Sequence, residues 1–100
     1  MIYKALIKWY PLGVGRSYNY PQTGTKYAPL LYAEKDCSYR SIIFFTTDID
    51  ENNQSYIEFE FLAADTPLDA IDVGEHFYIR EGSRSVAEGV VLSMLNEKKR

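Results

Sequence analysis

The segment from Gly74 to Leu95 decides the fold, and it reads Gly-Glu-His-Phe-Tyr-Ile-Arg-Glu-Gly-Ser-Arg-Ser-Val-Ala-Glu-Gly-Val-Val-Leu-Ser-Met-Leu. Phe77 and Ile79 alternate with polar or amphipathic neighbours, and this period of two is typical of a half-buried strand. Residues 81–84, Glu-Gly-Ser-Arg, supply a turn, in which Gly82 can take the positive φ that a short hairpin connection needs. The pattern predicts a tight β-hairpin.

The return segment, Ser85 to Leu95, is ambiguous when only its period is considered. Val86, Val90, Val91 and Met94 would also fit one face of a helix. Gly89 in the middle of the segment and the β-branched residues favour a strand.

The rest of the chain adds further short strands. Residues 3–9 alternate, and residues 30–33 form a short apolar segment. Residues 56–62 give the clearest strand, with alternate apolar residues on one face. Residues 40–47 contain a continuous apolar run, so both faces of that strand are expected to be covered. About six short strands separated by turns predict one all-β domain over residues 1–100, either a barrel or a sandwich.

A long segment without a clear period lies between Pro11 and Pro29. It is rich in Gly, Tyr, Pro, Ser and Thr and is interpreted as an ordered loop that could hold one short strand. Its residues Tyr18, Tyr20 and Tyr27 could pack against the barrel or present a stacking surface, and packing is the commoner outcome.

Composition sets the class of protein. The 100 residues are 46% apolar and 25% charged with a net charge of −3, which is ordinary for a globular domain and is not the basic excess of a typical polyanion binder. Cys37 is the single cysteine, so no intramolecular disulfide can form. Without a signal-peptide pattern or a run of about 20 apolar residues, the expectation is a cytoplasmic protein with no membrane association.

Known catalytic and ligand-binding patterns are missing from the sequence. No phosphate-binding Gly-x-x-x-x-Gly-Lys-Ser/Thr motif is present, so nucleotide binding is not expected. His76 and Cys37 lack the second ligands or the base that a zinc site or a nucleophilic dyad needs. Residues 48–53 are acidic but do not match the calcium-binding loop. We expect no catalytic residue, no metal and no cofactor, and an enzyme is the least favoured hypothesis.

The hairpin resembles the last hairpin of the third, C-terminal domain of elongation factor Tu. Weaker matches follow the same order along the chain. They lie in Gly24–Pro29, in Tyr39-Arg40 with Thr46-Thr47-Asp48, and in Pro67-Leu68, so the resemblance covers residues 5–95 and leaves a charged tail at 96–100. The hairpin residues that carry it are Phe77, Ile79, Arg80, Glu81, Gly82, Arg84, Val86, Gly89, Val90 and Val91. The resemblance implies a small, closed, six-stranded antiparallel β-barrel. In the family this barrel packs beside a second barrel and a nucleotide-binding domain, whereas here we expect a stand-alone single domain.

The resemblance also implies a binding surface. In the family this barrel contacts the T stem of aminoacyl-tRNA and protein partners. Arg80 and Arg84 could bind a phosphate or carboxylate, or could form internal salt bridges with Glu81 or Glu88. The candidate RNA- or partner-binding residues are Lys26, Tyr27, Thr46, Thr47, Arg80, Gly82 and Arg84.

Two departures from the family pattern affect the choice between partners. Thr66 stands where the family has a lysine, and Ala87-Glu88 replaces a small Gly-Ala pair. Both changes weaken phosphate binding. The sequence therefore predicts a protein-interaction domain linked to translation, with tRNA or another structured RNA as the alternative partner.

Overall fold

The computed structural model describes residues 2–11, 22–67 and 69–95, and every strand within them is antiparallel to its neighbours. The expectations for Tyr18, Tyr20, Leu68 and the charged tail at 96–100 lie outside these residues. The strands are β1 (Ile2–Trp9), β2 (Lys26–Tyr27), β3 (Leu30–Ala33), β4 (Ser38–Phe45), β5 (Gln54–Phe61), β6 (His76–Glu81) and β7 (Arg84–Leu95).

Six strands close into a ring in the order β1, β7, β6, β3, β4, β5, with β5 returning to β1. The short β2 lies outside this ring and pairs with the far end of β4, where Tyr27 and Phe59 flank Phe44 on opposite sides. The predicted all-β, six-stranded closed antiparallel barrel is confirmed. The described residues form no helix that could cross a bilayer.

The core fills the inside of this ring, and the predicted alternation identifies its residues. Tyr3, Ala5, Ile7 and Trp9 on β1 point inward, and the Trp9 indole N–H donates to the buried Ser55 hydroxyl at 3.1 Å. Burying aromatic and aliphatic side chains in this way supplies most of the stability of a small domain. The other core residues are Leu31, Ala33, Ile42, Phe44, Ile57, Phe59, Ile71, Phe77, Ile79, Val86, Ala87 and Val91.

The predicted hairpin forms, and its return segment is a strand rather than a helix. Glu81 faces Arg84 across the turn, and Gly82 takes the expected positive φ of 64°. Gly89 has a packing role. A Cβ atom at this position would lie 2.7 Å from both Ile7 Cγ2 and Phe77 Cζ, so only glycine lets the core close here.

One expectation for β4 is wrong. Its apolar run was expected to be covered on both faces, but Phe45 is 62% exposed whereas the adjacent Phe44 is 2% exposed. The inner face of β4 packs in the core, while its outer face is exposed to solvent at Phe45. A continuous apolar run cannot distinguish these two cases, because side chains on a barrel strand alternate between inside and outside whatever their type.

Candidate functional site

The barrel brings the three groups of candidate residues to one end of the fold. β2 carries Lys26 and Tyr27, and its pairing with β4 places it beside the threonines that follow that strand. A hydrogen bond between the Tyr27 hydroxyl and the Glu81 carboxylate connects β2 to the hairpin turn. Tyr27 and Glu81, 54 residues apart in sequence, therefore share one region, although the candidate side chains there differ greatly in exposure.

Thr46 is used by the fold itself. It is 4% exposed, its hydroxyl donates to the Gln22 carbonyl and lies 3.2 Å from the Thr25 carbonyl, and the Thr25 N–H donates to that hydroxyl at 2.9 Å. A hydroxyl can serve as donor and acceptor at once, so this side chain fixes the approach of residues 22–25 to the barrel. It offers little to an external ligand.

Tyr27 also packs inward, which confirms for this tyrosine alone the predicted packing against the barrel. Its ring lies edge-on to Phe44 with centroids 5.4 Å apart, and 6.0 Å from the Trp9 ring. The hydroxyl reaches Glu81, so the polar end of the side chain is satisfied as well. Tyr27 therefore connects β2 to the hairpin and has a structural role.

Four further candidate residues have exposed side chains or backbone: Lys26, Thr47, Gly82 and Arg84. Thr47 donates to the Tyr56 carbonyl at 2.7 Å. Lys26 lies opposite Phe45 across β2 and β4. These residues are accessible, and only Lys26 and Arg84 among them carry a positive charge.

Arg80 is part of an outer-wall cluster that sequence reasoning missed. Its guanidinium carbon lies 5.6 Å from the centroid of the Tyr39 ring, and the guanidinium donates to the Ser83 carbonyl. It forms no ion pair with any described residue, whereas Glu81 and Glu88 accept hydrogen bonds from Tyr27 and Tyr10. The expected alternative of a salt bridge to one of these glutamates therefore does not apply to Arg80 within the described residues.

Three tyrosines complete this cluster with Arg80. We call the cluster the tyrosine wall, and its members are Tyr32, Tyr39, Tyr78 and Arg80. The Tyr32 ring lies 4.8 Å from Tyr39 and 6.4 Å from Tyr78, across adjacent strands β4, β3 and β6. A hydrogen bond with the Cys37 thiol raises the pKa of the Tyr32 phenol above its ordinary value. Only the strand register could have revealed the wall, because its rings come from three separate segments.

Charges on the outer wall alternate in sign. Lys4 lies opposite Glu58, and Lys8 lies opposite Glu88. Lys35 is 2.9 Å from the Asp72 carboxylate, and the hydrogen bond between them raises the pKa of Lys35. Mixed charge of this kind gives neither a positive track for a phosphate backbone nor a negative funnel for cations.

Within residues 2–11, 22–67 and 69–95, no three His, Cys, Asp or Glu side chains come together as metal ligands. Cys37 and His76 are both exposed, on the β3–β4 turn and at the start of β6. The acidic turn after β4 is organised by its own backbone, since the Asp50 carboxylate accepts from the Asn52 and Gln54 N–H groups.

No protein-family model matches the chain, and no curated protein matches its sequence. The relationship to the third domain of elongation factor Tu therefore stays a prediction that rests on the hairpin motif.

Proposed function

We propose that this barrel is a non-catalytic binding module that docks on a folded protein partner through the tyrosine wall. The observation that carries the proposal is the contact of Arg80 with Tyr39 beside Tyr32 and Tyr78 on the outside of three adjacent strands. Tyrosine and arginine dominate the energetically important positions of protein interfaces. Four such residues clustered on one rigid wall have the composition of an interface core.

The wall is also preorganised. Tyr32 contacts two neighbouring rings, and Arg80 is held by Tyr39 and the Ser83 carbonyl. Side chains already fixed in the free protein lose little entropy on binding, so more of the contact energy appears as affinity. Tyr39 is 52% exposed and provides the accessible ring that a partner would cover.

The resemblance to the elongation factor supports a partner from the translation machinery. The full-length chain is immobilised and exposed to cell lysate, and retained proteins are quantified by mass spectrometry. We expect a stoichiometric partner that wild type and the exposed-site control Leu62→Ala retain and that Tyr39→Ala loses by at least tenfold, since a hot-spot residue contributes about 2 kcal/mol or more. Retention that is unchanged in Tyr39→Ala, or lost equally in Leu62→Ala, would show that the tyrosine wall is not the docking surface.

Structured RNA is the second candidate partner, favoured by the exposure of Lys26, Gly82 and Arg84 at the same end of the barrel. Filter binding with bulk tRNA at about 50 and about 200 mM salt tests it, because phosphate contacts make affinity fall steeply with salt. Retention that falls with salt, with a slope reduced by about one in Arg84→Gln, would support this candidate. Absence of salt-sensitive binding would remove it.

A further inference from the structure

A groove opens on the outer wall where β4 and β5 separate. Their ladder ends at the pair Phe44 and Phe59, and beyond it the Thr47 hydroxyl donates to the Tyr56 carbonyl at 2.7 Å in place of a backbone bond. The resulting space of about 290 Å³ is distinct from the tyrosine wall. Its lining residues are Lys4, Phe45, Thr47, Tyr56, Ile57 and Glu58. We call it the fork groove.

Two aromatic side chains line this groove without being used by the fold. Phe45 is 62% exposed and Tyr56 is 61% exposed, and neither ring contacts another aromatic ring among the described residues. An aromatic side chain that becomes buried removes about 150–250 Å² from water, so leaving two rings exposed forgoes much stabilisation. A ligand that covers both rings would recover it.

The polar groups of the groove fit a peptide better than a nucleic acid. Glu58 lies opposite Lys4 across β5 and β1, and neither forms an ion pair with a described residue. Glu60 follows on the same exposed face of β5, and the whole chain carries a net charge of −3. A phosphate backbone would meet these carboxylates, whereas a basic side chain would be attracted to them.

We propose that the fork groove binds a short proline-rich peptide in the polyproline II conformation, with a basic residue of the peptide beside Glu58. Prolines of such a peptide pack on Phe45 and Tyr56, as aromatic-lined grooves do with these ligands. A polyproline II helix makes no internal hydrogen bonds, so its carbonyls can accept from the Lys4 ammonium and the Tyr56 hydroxyl. Each group that lines the mouth of the groove thereby gains a partner.

The test is a fluorescence-anisotropy titration of the full chain with a labelled peptide of three Pro-Pro-Arg repeats. Ala-Ala-Arg and Pro-Pro-Glu repeats separate the contributions of proline and charge. We expect saturable binding of the first peptide only, weakened at least tenfold by Phe45→Ala and by Tyr56→Ala. Glu58→Gln should weaken it up to about fivefold, as for an exposed ion pair, while Lys4→Gln should not weaken it to the same extent. Both ring variants should keep the wild-type urea midpoint.

Three results would overturn the proposal. The first is no saturable binding of the Pro-Pro-Arg peptide. The second is equal affinity for Ala-Ala-Arg repeats, which would show charge attraction without polyproline recognition. The third is binding of a labelled uridine decamer that depends on Phe45 and Tyr56 while the peptide does not bind, which would identify the groove as a base-stacking surface instead. None of these measurements depends on the tyrosine wall, whose variant Tyr39→Ala should bind the peptide normally.

Discussion

The inside and the outside of the barrel wall at the end of β4 carry nearly the same side chains and use them differently. Phe44 and Thr46 face inward, 2% and 4% exposed, whereas Phe45 is 62% exposed and Thr47 is exposed as well. Phe44 packs edge-on against Tyr27, and Thr46 holds residues 22–25 by hydrogen bonds. Residue type alone therefore does not distinguish a structural role from a binding role. The distinction depends on whether the side chain points into the barrel or out to solvent.

This difference bears on the residues that resemble those of the elongation factor. Tyr27 and Thr46 fall on the inner row and stabilise the fold, while Lys26 and Thr47 fall on the outer row. Inner side chains of this kind are constrained by the packing of the fold, whereas outer side chains can change with little effect on stability. The binding partner therefore has to be inferred from the outer residues of this chain.

The phenylalanine pair gives the largest expected effect. Phe44→Ala should lower the free energy of unfolding by about 3–5 kcal/mol, because it removes a buried ring and leaves a cavity beside Tyr27. Phe45→Ala should change it by less than about 0.5 kcal/mol, as for other exposed positions. Urea unfolding followed by tryptophan fluorescence of Trp9 measures both, and equal losses in the two variants would contradict the inside–outside assignment.

The threonine pair should show the same order with a smaller difference. Thr46→Val keeps the shape but removes the hydroxyl that bonds Gln22 and Thr25. Backbone hydrogen bonds still pair the Gln22 and Thr25 carbonyls and the Thr25 N–H, so the expected cost is about 0.5–1.5 kcal/mol. Thr47→Val removes a single exposed hydrogen bond to Tyr56 and should cost less than about 0.5 kcal/mol. Urea midpoints decide this comparison, and it fails if Thr47→Val proves the more damaging variant.

Most of the fold could be predicted from the sequence because the alternating segments report inner and outer rows directly. Ile57 and Phe59 alternate with exposed glutamates, and the structure buries both. Ser85 to Leu95 could be assigned as a strand because a helix would not favour Gly89 in its middle. Local pattern failed at β4, where an unbroken apolar run hides which side chains face the solvent.

The candidate surfaces could be predicted only in part. Exposed residues of the hairpin, such as Gly82 and Arg84, are recognisable from their turn. The tyrosine wall depends on Tyr32 facing both Tyr39 and Tyr78. That arrangement requires the register of three strands, and register is set by closure of the whole ring. The fork groove likewise exists because one ladder ends at Phe44, which no local pattern specifies.

Tyr10, the residue that follows β1, is partly buried, and its substitution gives the smallest expected effect on stability. Partial burial, together with the Glu88 carboxylate that accepts its hydroxyl hydrogen bond at 3.2 Å, raises the pKa of Tyr10 to about 12 from 10.0. Between these values the folded chain keeps a proton that the unfolded chain has lost. The stabilisation is thus fully present below pH 10 and is lost as the pH rises through about 12.

Thermal unfolding followed across this alkaline range should therefore show a shallower fall in midpoint for Tyr10→Phe than for wild type. Glu88→Gln should show an intermediate slope, because it removes the nearby charge and leaves the burial of the ring unchanged. Tyr10→Phe should not abolish the alkaline fall in the unfolding midpoint, since burial also raises the pKa of Tyr3 in the core. An identical slope in wild type and Tyr10→Phe would place Tyr10 with the exposed outer row, where the phenol contributes nothing to the fold.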